Sequence, residues 1–265
     1  MSSLEQELAS RLEFARSIAR EAASTAVAYF GQTDLRVDRK EDQSPVTVAD
    51  REAEELLRER ITSAFAADSI EGEEYGKQAG TTAFRWLLDP IDGTKSFVSG
   101  VPLFGTMVAV LHEDEPQIGV IEFPALGESI FAAKGQGAWH SIGGGSAVRT
   151  AVSRIDQLSE SLFCTTALDS FESSGRSEIF AALAREARIT RTWGDCYGYL
   201  LVATGRADLM IDPILNPWDT AALMPILEES GGTLTDFFGR RTIFGGEAVA
   251  TNGHLLSQTL ELTSV

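Results

Sequence analysis

At 265 residues, with 43% hydrophobic residues, the chain can bury a large core as one sizeable unit or as two close-packed halves. A formal net charge of −17 argues against nucleic-acid binding, which depends on neutralising phosphates with Lys and Arg. No apolar run approaches the roughly 18–20 residues that span a bilayer, and the acidic start Met1-Ser2-Ser3-Leu4-Glu5-Gln6-Glu7 lacks the basic and apolar regions of a signal peptide, so a cytoplasmic protein with no membrane partner is expected.

Ser3 and Gln6 read as a capping box before a helix whose apolar positions Leu4, Leu8, Leu12, Ala15, Ala19, Ala22 and Ala26 recur at helical spacing, with Gly31 as its stop. A polar segment follows, and Thr47 and Asp50 start a second helix with Ala49, Ala53, Leu56, Leu57, Ile61 and Phe65 inward. Ile70 leads into a dense acidic loop, Glu71-Gly72-Glu73-Glu74-Tyr75-Gly76. Strands are expected at Phe84–Leu88, Thr106–Leu111, Gln117–Phe123 and Ser129–Ala133. Gly143-Gly144-Gly145-Ser146 has neither the Lys-Ser/Thr nor the following helix of a phosphate loop and reads as a hairpin turn.

From about residue 150 strands and helices alternate. Leu162–Thr166 and Leu209–Ile211 read as strands, Ser177–Ala187 and Gly194–Ala203 as helices. Asn216-Pro217 places an N-cap before a helix over Trp218–Glu229, closed by Gly231-Gly232. Strands at Thr233–Thr235 and Ala248–Thr251 and a helix at Leu255–Leu262 finish the chain. Cys164 and Cys196 form no disulfide framework and are expected as buried free thiols.

Trp86-Leu87-Leu88-Asp89-Pro90-Ile91-Asp92-Gly93-Thr94 is the most informative stretch. Pro90 has no N–H, so the ladder is expected to stop at Asp89. The turn then offers two carboxylates, the Ile91 carbonyl and the Thr94 hydroxyl, all oxygen ligands for a hard cation. Taken alone it reads equally as a solvated acidic turn. Joined with Glu73 after a strand and Asp219 in the first turn of a helix, it suggests a metal-assisted hydrolase, because carboxylates from such ends bind Mg²⁺ when substrate phosphate completes the shell. Singly, Asp50 and Asp219 also read as helix-start acids, Thr94 as a cap, and Glu73 as part of a solvated loop.

Four motifs stand in order: Lys40-x-x-x-Ser44-Pro45-Val46-Thr47-x-Ala49-Asp50, Gly72-Glu73-Glu74, the Trp86–Thr94 stretch, and Trp218-Asp219-x-Ala221-Ala222. Together they resemble the signatures of the inositol monophosphatase family over about residues 4–260. The resemblance implies a layered α-β-α-β-α sandwich of the inositol monophosphatase and fructose-1,6-bisphosphatase type. One such unit would span 4–262, with an N-terminal α+β half (1–148) holding most metal ligands and a C-terminal α/β half (149–265) setting specificity.

It further implies two to three Mg²⁺ ions, with Mn²⁺ a workable substitute. Glu73, Asp89 and the Ile91 carbonyl would hold one ion, and Asp89, Asp92 and Asp219 a second, with Asp89 bridging. Glu73 would also help hold a third, weaker ion. Asp50 and Thr94 resemble the pair that orients and deprotonates the attacking water, and Asp92, Gly93 and Thr94 the residues that face the substrate. A homodimer is implied as well.

Two features depart from the usual inositol-phosphate pattern: the segment Arg191-Thr192-Trp193-Gly194-Asp195-Cys196-Tyr197-Gly198-Tyr199, and Asp212 where a glutamate is usual. Substrate contacts are expected from Arg191, Asp195 and Asp212, and added carboxylates favour a substrate carrying a cation. The segment resembles the histidinol-phosphate phosphatase branch of the family, so the expected substrate is the small ester L-histidinol phosphate, in histidine biosynthesis. Inositol 1-phosphate, fructose 1,6-bisphosphate and nucleotide 3′-phosphates are the alternatives, a bisphosphate calling on Arg191, Arg206 and Arg240. A regulatory binding protein is the non-enzymatic alternative. His112, His140 and His254 fall outside every motif and are expected in packing or surface roles.

Overall fold

The computed structural model describes residues 3–40 and 44–264. Helices α1 (Ser3–Val27) and α2 (Val48–Ala64) open the chain, separated by an antiparallel ribbon of β1 (Val37–Arg39) and β2 (Pro45–Thr47). The cap expected of the Ser3 side chain lies outside what is described. Next come β3 (Ser69–Gly72), β4 (Gly76–Gln78), β5 (Phe84–Asp92), the short helix α3 (Thr94–Val98), β6 (Gly105–His112), β7 (Glu115–Phe123), β8 (Glu128–Ala133), β9 (Ala138–Ile142) and β10 (Val148–Arg149). These strands form one sheet in the order β10-β9-β8-β7-β6-β5-β3-β4, antiparallel except where β3 runs parallel to β5.

The remainder comprises β11 (Leu162–Cys164), α4 (Leu168–Ser173), α5 (Ser177–Glu186), β12 (Ile189–Arg191), α6 (Asp195–Ala203), β13 (Leu209–Asp212), α7 (Pro217–Ala221), α8 (Leu223–Glu229), β14 (Thr233–Thr235), β15 (Ala248–Thr251) and α9 (Leu256–Thr263). Its five-stranded sheet has the order β12-β11-β13-β15-β14, with β11 parallel to both of its neighbours.

Side-chain alternation along the strands assigns the layers. Trp86, Leu88, Val108, Val110, Ile118 and Val120 face Ala15, Ile18, Ala22, Ala53, Leu57 and Ile61 of α1 and α2. Their neighbours Leu87, Met107, Ala109 and Ile121 face Leu200, Ala221, Leu223 and Leu227 of α6, α7 and α8. Met210 and Ala250 of the smaller sheet close that middle layer, while Phe163, Leu209, Ile211 and Val249 turn outward onto Phe171, Ile179, Leu183 and Leu255. The order is helix, sheet, helix, sheet, helix, the expected five layers. Central strands buried on both faces explain the nearly unbroken apolar runs.

A buried ion pair staples α1 to the large sheet. Arg11 Nε and Nη2 donate to the two Asp68 oxygens at 2.9 and 3.0 Å, and Trp86 Nε1 and Thr82 Oγ1 donate to the same carboxylate. The guanidinium also lies 3.6 Å from the Phe84 ring centroid.

The structure corrects several boundaries. Strand β5 does not end at Asp89 but resumes beyond Pro90, the register slipping between Asp89↔Met107 and Asp92↔Gly105. The chain bulges where proline cannot donate and then rejoins the ladder. The helix expected over Trp218–Glu229 is two helices joined at Ala222, because Pro225 has no N–H to bond the preceding turn. The ribbon β1–β2 and the acidic hairpin β3–β4 lie in segments expected as polar or as a loop, and β9 and β10 are additional to the expected strands, with Gly143–Gly145 in the turn between them as expected. Among the described residues no helix is long and apolar enough to cross a membrane.

Candidate active site

A cleft of about 240 Å³ opens between the two sheets. Its lining includes Glu73, Asp89, Ile91, Asp92, Gly93, Thr94, Asp195, Asp212 and Asp219, drawn from five separate segments. The β5 bulge aims Asp89 and Asp92 toward one another, and Thr106 Oγ1 secures it by donating to the Pro90 carbonyl at 2.8 Å. Gly93 then takes φ +86°, a left-handed conformation natural to glycine, and starts α3.

Glu73 sits in the hairpin after β3, its N–H donating to the Leu88 carbonyl at 3.2 Å. From α2, the buried Glu54 carboxylate accepts the N–H groups of Glu74 and Tyr75 at 2.7 and 3.2 Å and so props the hairpin from beneath. Lys40 caps it from the side, 2.7 Å from Glu73 and 2.6 Å from Glu74. Burial works against the Lys40 charge, but the Glu73 and Glu74 carboxylates outweigh it and raise its pKa. Burial in turn lifts Glu74 to about 7.

Oxygen atoms of Asp89, Asp92 and Asp219 all lie within 4.8 Å of one another. Burial, then repulsion from Glu73, Asp92 and Asp219, drives Asp89 well above the ordinary carboxylate range. Asp92 is lifted to about 7 by burial and the Asp219 charge, and Asp219 to about 7 by burial, with Glu73 adding to it. Asp89 Oδ1 is buried and has no hydrogen-bond partner among the described residues. Six carboxylates line the cleft against one lysine, Lys95. Converging like charges with an unsatisfied oxygen fit a divalent cation, and the ligand set is all oxygen, which suits a hard ion. Asp219 is oriented by the α7 start, where Asn216 N–H donates to its Oδ2 at 2.6 Å.

Asp50 combines a cap with a contact into the site. Its Oδ2 accepts the N–H and hydroxyl of Thr47, both at 2.7 Å, closing the capping box of α2. Its Oδ1 faces the Thr94 hydroxyl at 3.3 Å, and that hydroxyl is 3.0 Å from the Ile91 carbonyl. Burial raises the Asp50 pKa against the Thr47 hydrogen bonds. One Asp50 oxygen thus serves as the helix cap, and the other lies against the Thr94 hydroxyl at the cleft.

On the other wall, Asp195 begins α6 at φ +52°, an uncommon left-handed conformation for a residue with a side chain. Its carboxylate has only a 3.4 Å contact from Ser96 Oγ and no ion pair among the described residues. Burial, then the Asp92 and Asp212 charges, pushes its pKa well up. Asp212 lines the cleft too, but its oxygens accept from Thr165 Oγ1, Thr166 N, Thr166 Oγ1 and Tyr199 OH at 3.2, 2.8, 3.0 and 3.1 Å. A carboxylate so occupied has little capacity left for a ligand, which corrects its expected place as a direct substrate contact.

Arg191 departs further from expectation: it is exposed, bonds the Thr190 carbonyl at 2.8 Å, and is absent from the lining. It is the last residue of the edge strand β12. Thr166, Glu54 and Ser170 are isolated residues outside any motif, and Tyr199, although it closes the Arg191–Tyr199 segment, carries no expected role from sequence. Thr166 alone had a signal, its place just beyond the end of a parallel strand. His112 packs on Phe84 with centroids 4.7 Å apart, and His140 meets Glu128 at 2.9 Å, both remote from the cleft.

An α-β-α-β-α sandwich with an acidic, cation-fitted cleft between its sheets defines a metal-dependent phosphatase scaffold. Residues 7–264 match the model of the inositol monophosphatase family, and the chain belongs to that family. A histidinol-phosphatase of Chlorobaculum parvum is 42% identical over 249 residues, 94% of each chain. One of Streptomyces coelicolor is 40% identical over 253 residues, 94% of this chain and 95% of its own. Among solved structures, an inositol monophosphatase from Zymomonas mobilis superposes with a TM-score of 0.85 at 30% identity over 100% of both chains. One from Anabaena gives 0.84 at 28% identity over 97% of this chain and 96% of its own. The protein is a metal-dependent phosphomonoesterase.

Proposed function

We propose that the chain hydrolyses L-histidinol phosphate to L-histidinol and phosphate. The observation that carries the substrate is Asp195, a half-buried carboxylate at the cleft that makes no ion pair among the described residues, with Lys95 as the one cation acting on it from a distance. An alcohol bearing an ammonium or imidazolium would supply the missing charge. The 42% and 40% identities to histidinol-phosphatases support the same reading.

Glu73, Asp89, the Ile91 carbonyl, Asp92 and Asp219 would hold two to three Mg²⁺, with Mn²⁺ able to replace it. When bound, the ions neutralise the phosphate and acidify water at the site. Thr94 orients the attacking water, with its hydroxyl held by Asp50, and Asp50 takes the proton, its burial-raised basicity suiting it to that task. The amides of Gly93 and Thr94 face the phosphate. One P–O bond forms from the water, the ester P–O bond breaks, and the departing alcohol oxygen gains a proton. Residues 1–148 would contribute the hydrolytic apparatus and 149–265 the selectivity, within one unit that pairs as a homodimer in the cytoplasm.

The test is Mg²⁺-dependent phosphate release from L-histidinol phosphate, inositol 1-phosphate, fructose 1,6-bisphosphate and adenosine 3′,5′-bisphosphate. Histidinol phosphate should be strongly preferred, and Asp195→Ala should harm it far more than inositol 1-phosphate. Preference for another ester, or equal losses on both, would overturn the assignment.

A further inference from the structure

We infer that Asp212 is a positioning residue that sets substrate selectivity through Thr166, holding Asp195 where it can meet a cationic alcohol. The inference rests on the reading of Asp195 given above.

Asp212 ends β13, is 3% exposed, and is ringed by neutral donors from two places: Thr165 and Thr166 after β11, and Tyr199 in α6. Thr166 Oγ1 is the hinge of the arrangement. It lies 3.0 Å from Asp212 Oδ2 and 2.8 Å from the backbone nitrogen of Asp195. An ionised carboxylate only accepts, so the single hydroxyl proton of Thr166 must point at Asp212. That leaves the Thr166 oxygen as acceptor for the Asp195 N–H. Asp212 thereby fixes the polarity of a bond it does not itself make.

The bond matters because Asp195 is strained. A left-handed conformation is uncommon for a residue with a Cβ, even for Asp, and holds where the surroundings impose it. Gly194 contributes to the imposition: a Cβ there would stand 2.2 Å from Thr166 Cα, so the two backbones are pressed together. Tyr199, one turn along α6, gives Asp212 a second grip on the same helix. A third fastening joins the Cys196 N–H to Asp92, so Asp195 is clamped between the Asp212 cluster and the β5 turn. Asp195 thus gains its position from neutral donors and makes no direct ion pair among the described residues, with Lys95 acting on its charge only from a distance.

The experiment compares kcat/KM for L-histidinol phosphate and inositol 1-phosphate in wild type, Thr166→Val, Thr166→Ser, Asp195→Asn and the double variant Thr166→Val/Asp195→Asn. Valine keeps the branched shape and removes the hydroxyl; serine restores it. Thr166→Val should lower the preference for histidinol phosphate by at least about tenfold, chiefly through KM, the scale of a lost hydrogen bond in a charged network. Thr166→Ser should return it to within about threefold of wild type, and in the Asp195→Asn background Thr166→Val should change the preference no further. Should Thr166→Val not fold, Tyr199→Phe serves, with an expected drop of about threefold. An unaltered preference in Thr166→Val, or an equal drop with and without Asp195, overturns the relay alone if Asp195→Asn has lost its preference. An unaltered preference in Asp195→Asn overturns the cation-binding reading, and the relay falls with it.

Discussion

The backbone N–H of Cys196 donates to the Asp92 carboxylate, fastening the start of α6 to the turn that ends β5. Two residues 104 positions apart thus share the boundary between the acidic cluster and the Asp195 wall of the cleft. A helix start directed at a carboxylate also supplies local positive potential in a site otherwise crowded with negative charge. In the proposed reading this contact joins the selectivity wall to the hydrolytic cluster, and the consequences can be measured.

Asp92→Asn removes one charge from the cluster and leaves a side chain of the same shape. Divalent-ion-dependent turnover should fall by more than about a hundredfold, while the melting temperature of the metal-free protein stays the same or rises. Calorimetric titration with Mg²⁺ should show weakened binding. Near-wild-type turnover would remove Asp92 from the ligand set.

Asp50→Asn and Thr94→Ala address the water-orienting pair. Each should reduce kcat by about 10²–10⁴-fold, the range for a positioned proton acceptor, with Mg²⁺ affinity largely retained. Because Asp50 also closes the α2 capping box, Asp50→Asn should cost about 1 kcal/mol of stability that Thr94→Ala does not. A change in KM with kcat intact would place the pair in binding instead.

The metal-free protein should become less stable as pH rises. Asp92 and Asp219 have folded pKa values near 7, raised by burial and by their acidic neighbours, against about 4 in an unfolded chain. Raised carboxylates bind protons more tightly when folded, so their contribution is complete below about pH 4 and disappears as pH climbs through about 7. Melting curves in EDTA should shift down between pH 5 and pH 8. A saturating divalent ion replaces the protons, so its stabilising increment should be larger at pH 8 than at pH 5. An increment independent of pH would contradict the proton–metal competition.

Asp68→Ala should destabilise the fold by about 3–5 kcal/mol, because it leaves the buried Arg11 guanidinium and the Trp86 indole N–H without their shared acceptor. Neither Arg11 nor Asp68 lines the cleft, so kcat of the folded fraction should be unchanged. Urea denaturation followed by Trp fluorescence measures the loss. A change under about 1 kcal/mol would mean that water replaces the carboxylate.

Much of this protein is determined locally and is legible in the chain. Asp89-Pro90-Ile91-Asp92-Gly93-Thr94 dictates its own turn, since Pro90 cannot donate and Gly93 accepts a left-handed backbone. Apolar periodicity marks α1, α2 and the central strands, because burial on one or both faces imposes it. The order of the motifs is enough to identify the family. Tertiary structure alone decides which carboxylates remain available. Asp195 and Asp212 look alike in sequence, yet among the described residues one carboxylate keeps a single long contact from Ser96 and the other is saturated by Thr165, Thr166 and Tyr199. Those donors approach from strand ends and a helix 13 to 47 positions away, and no local pattern records such a meeting. Arg191, adjacent to the informative segment, is turned into solvent by the edge strand that carries it. Spacing states which groups are near in the chain; only packing states which oxygen atoms are already bonded, and a bonded oxygen has given up most of its capacity to bind a ligand.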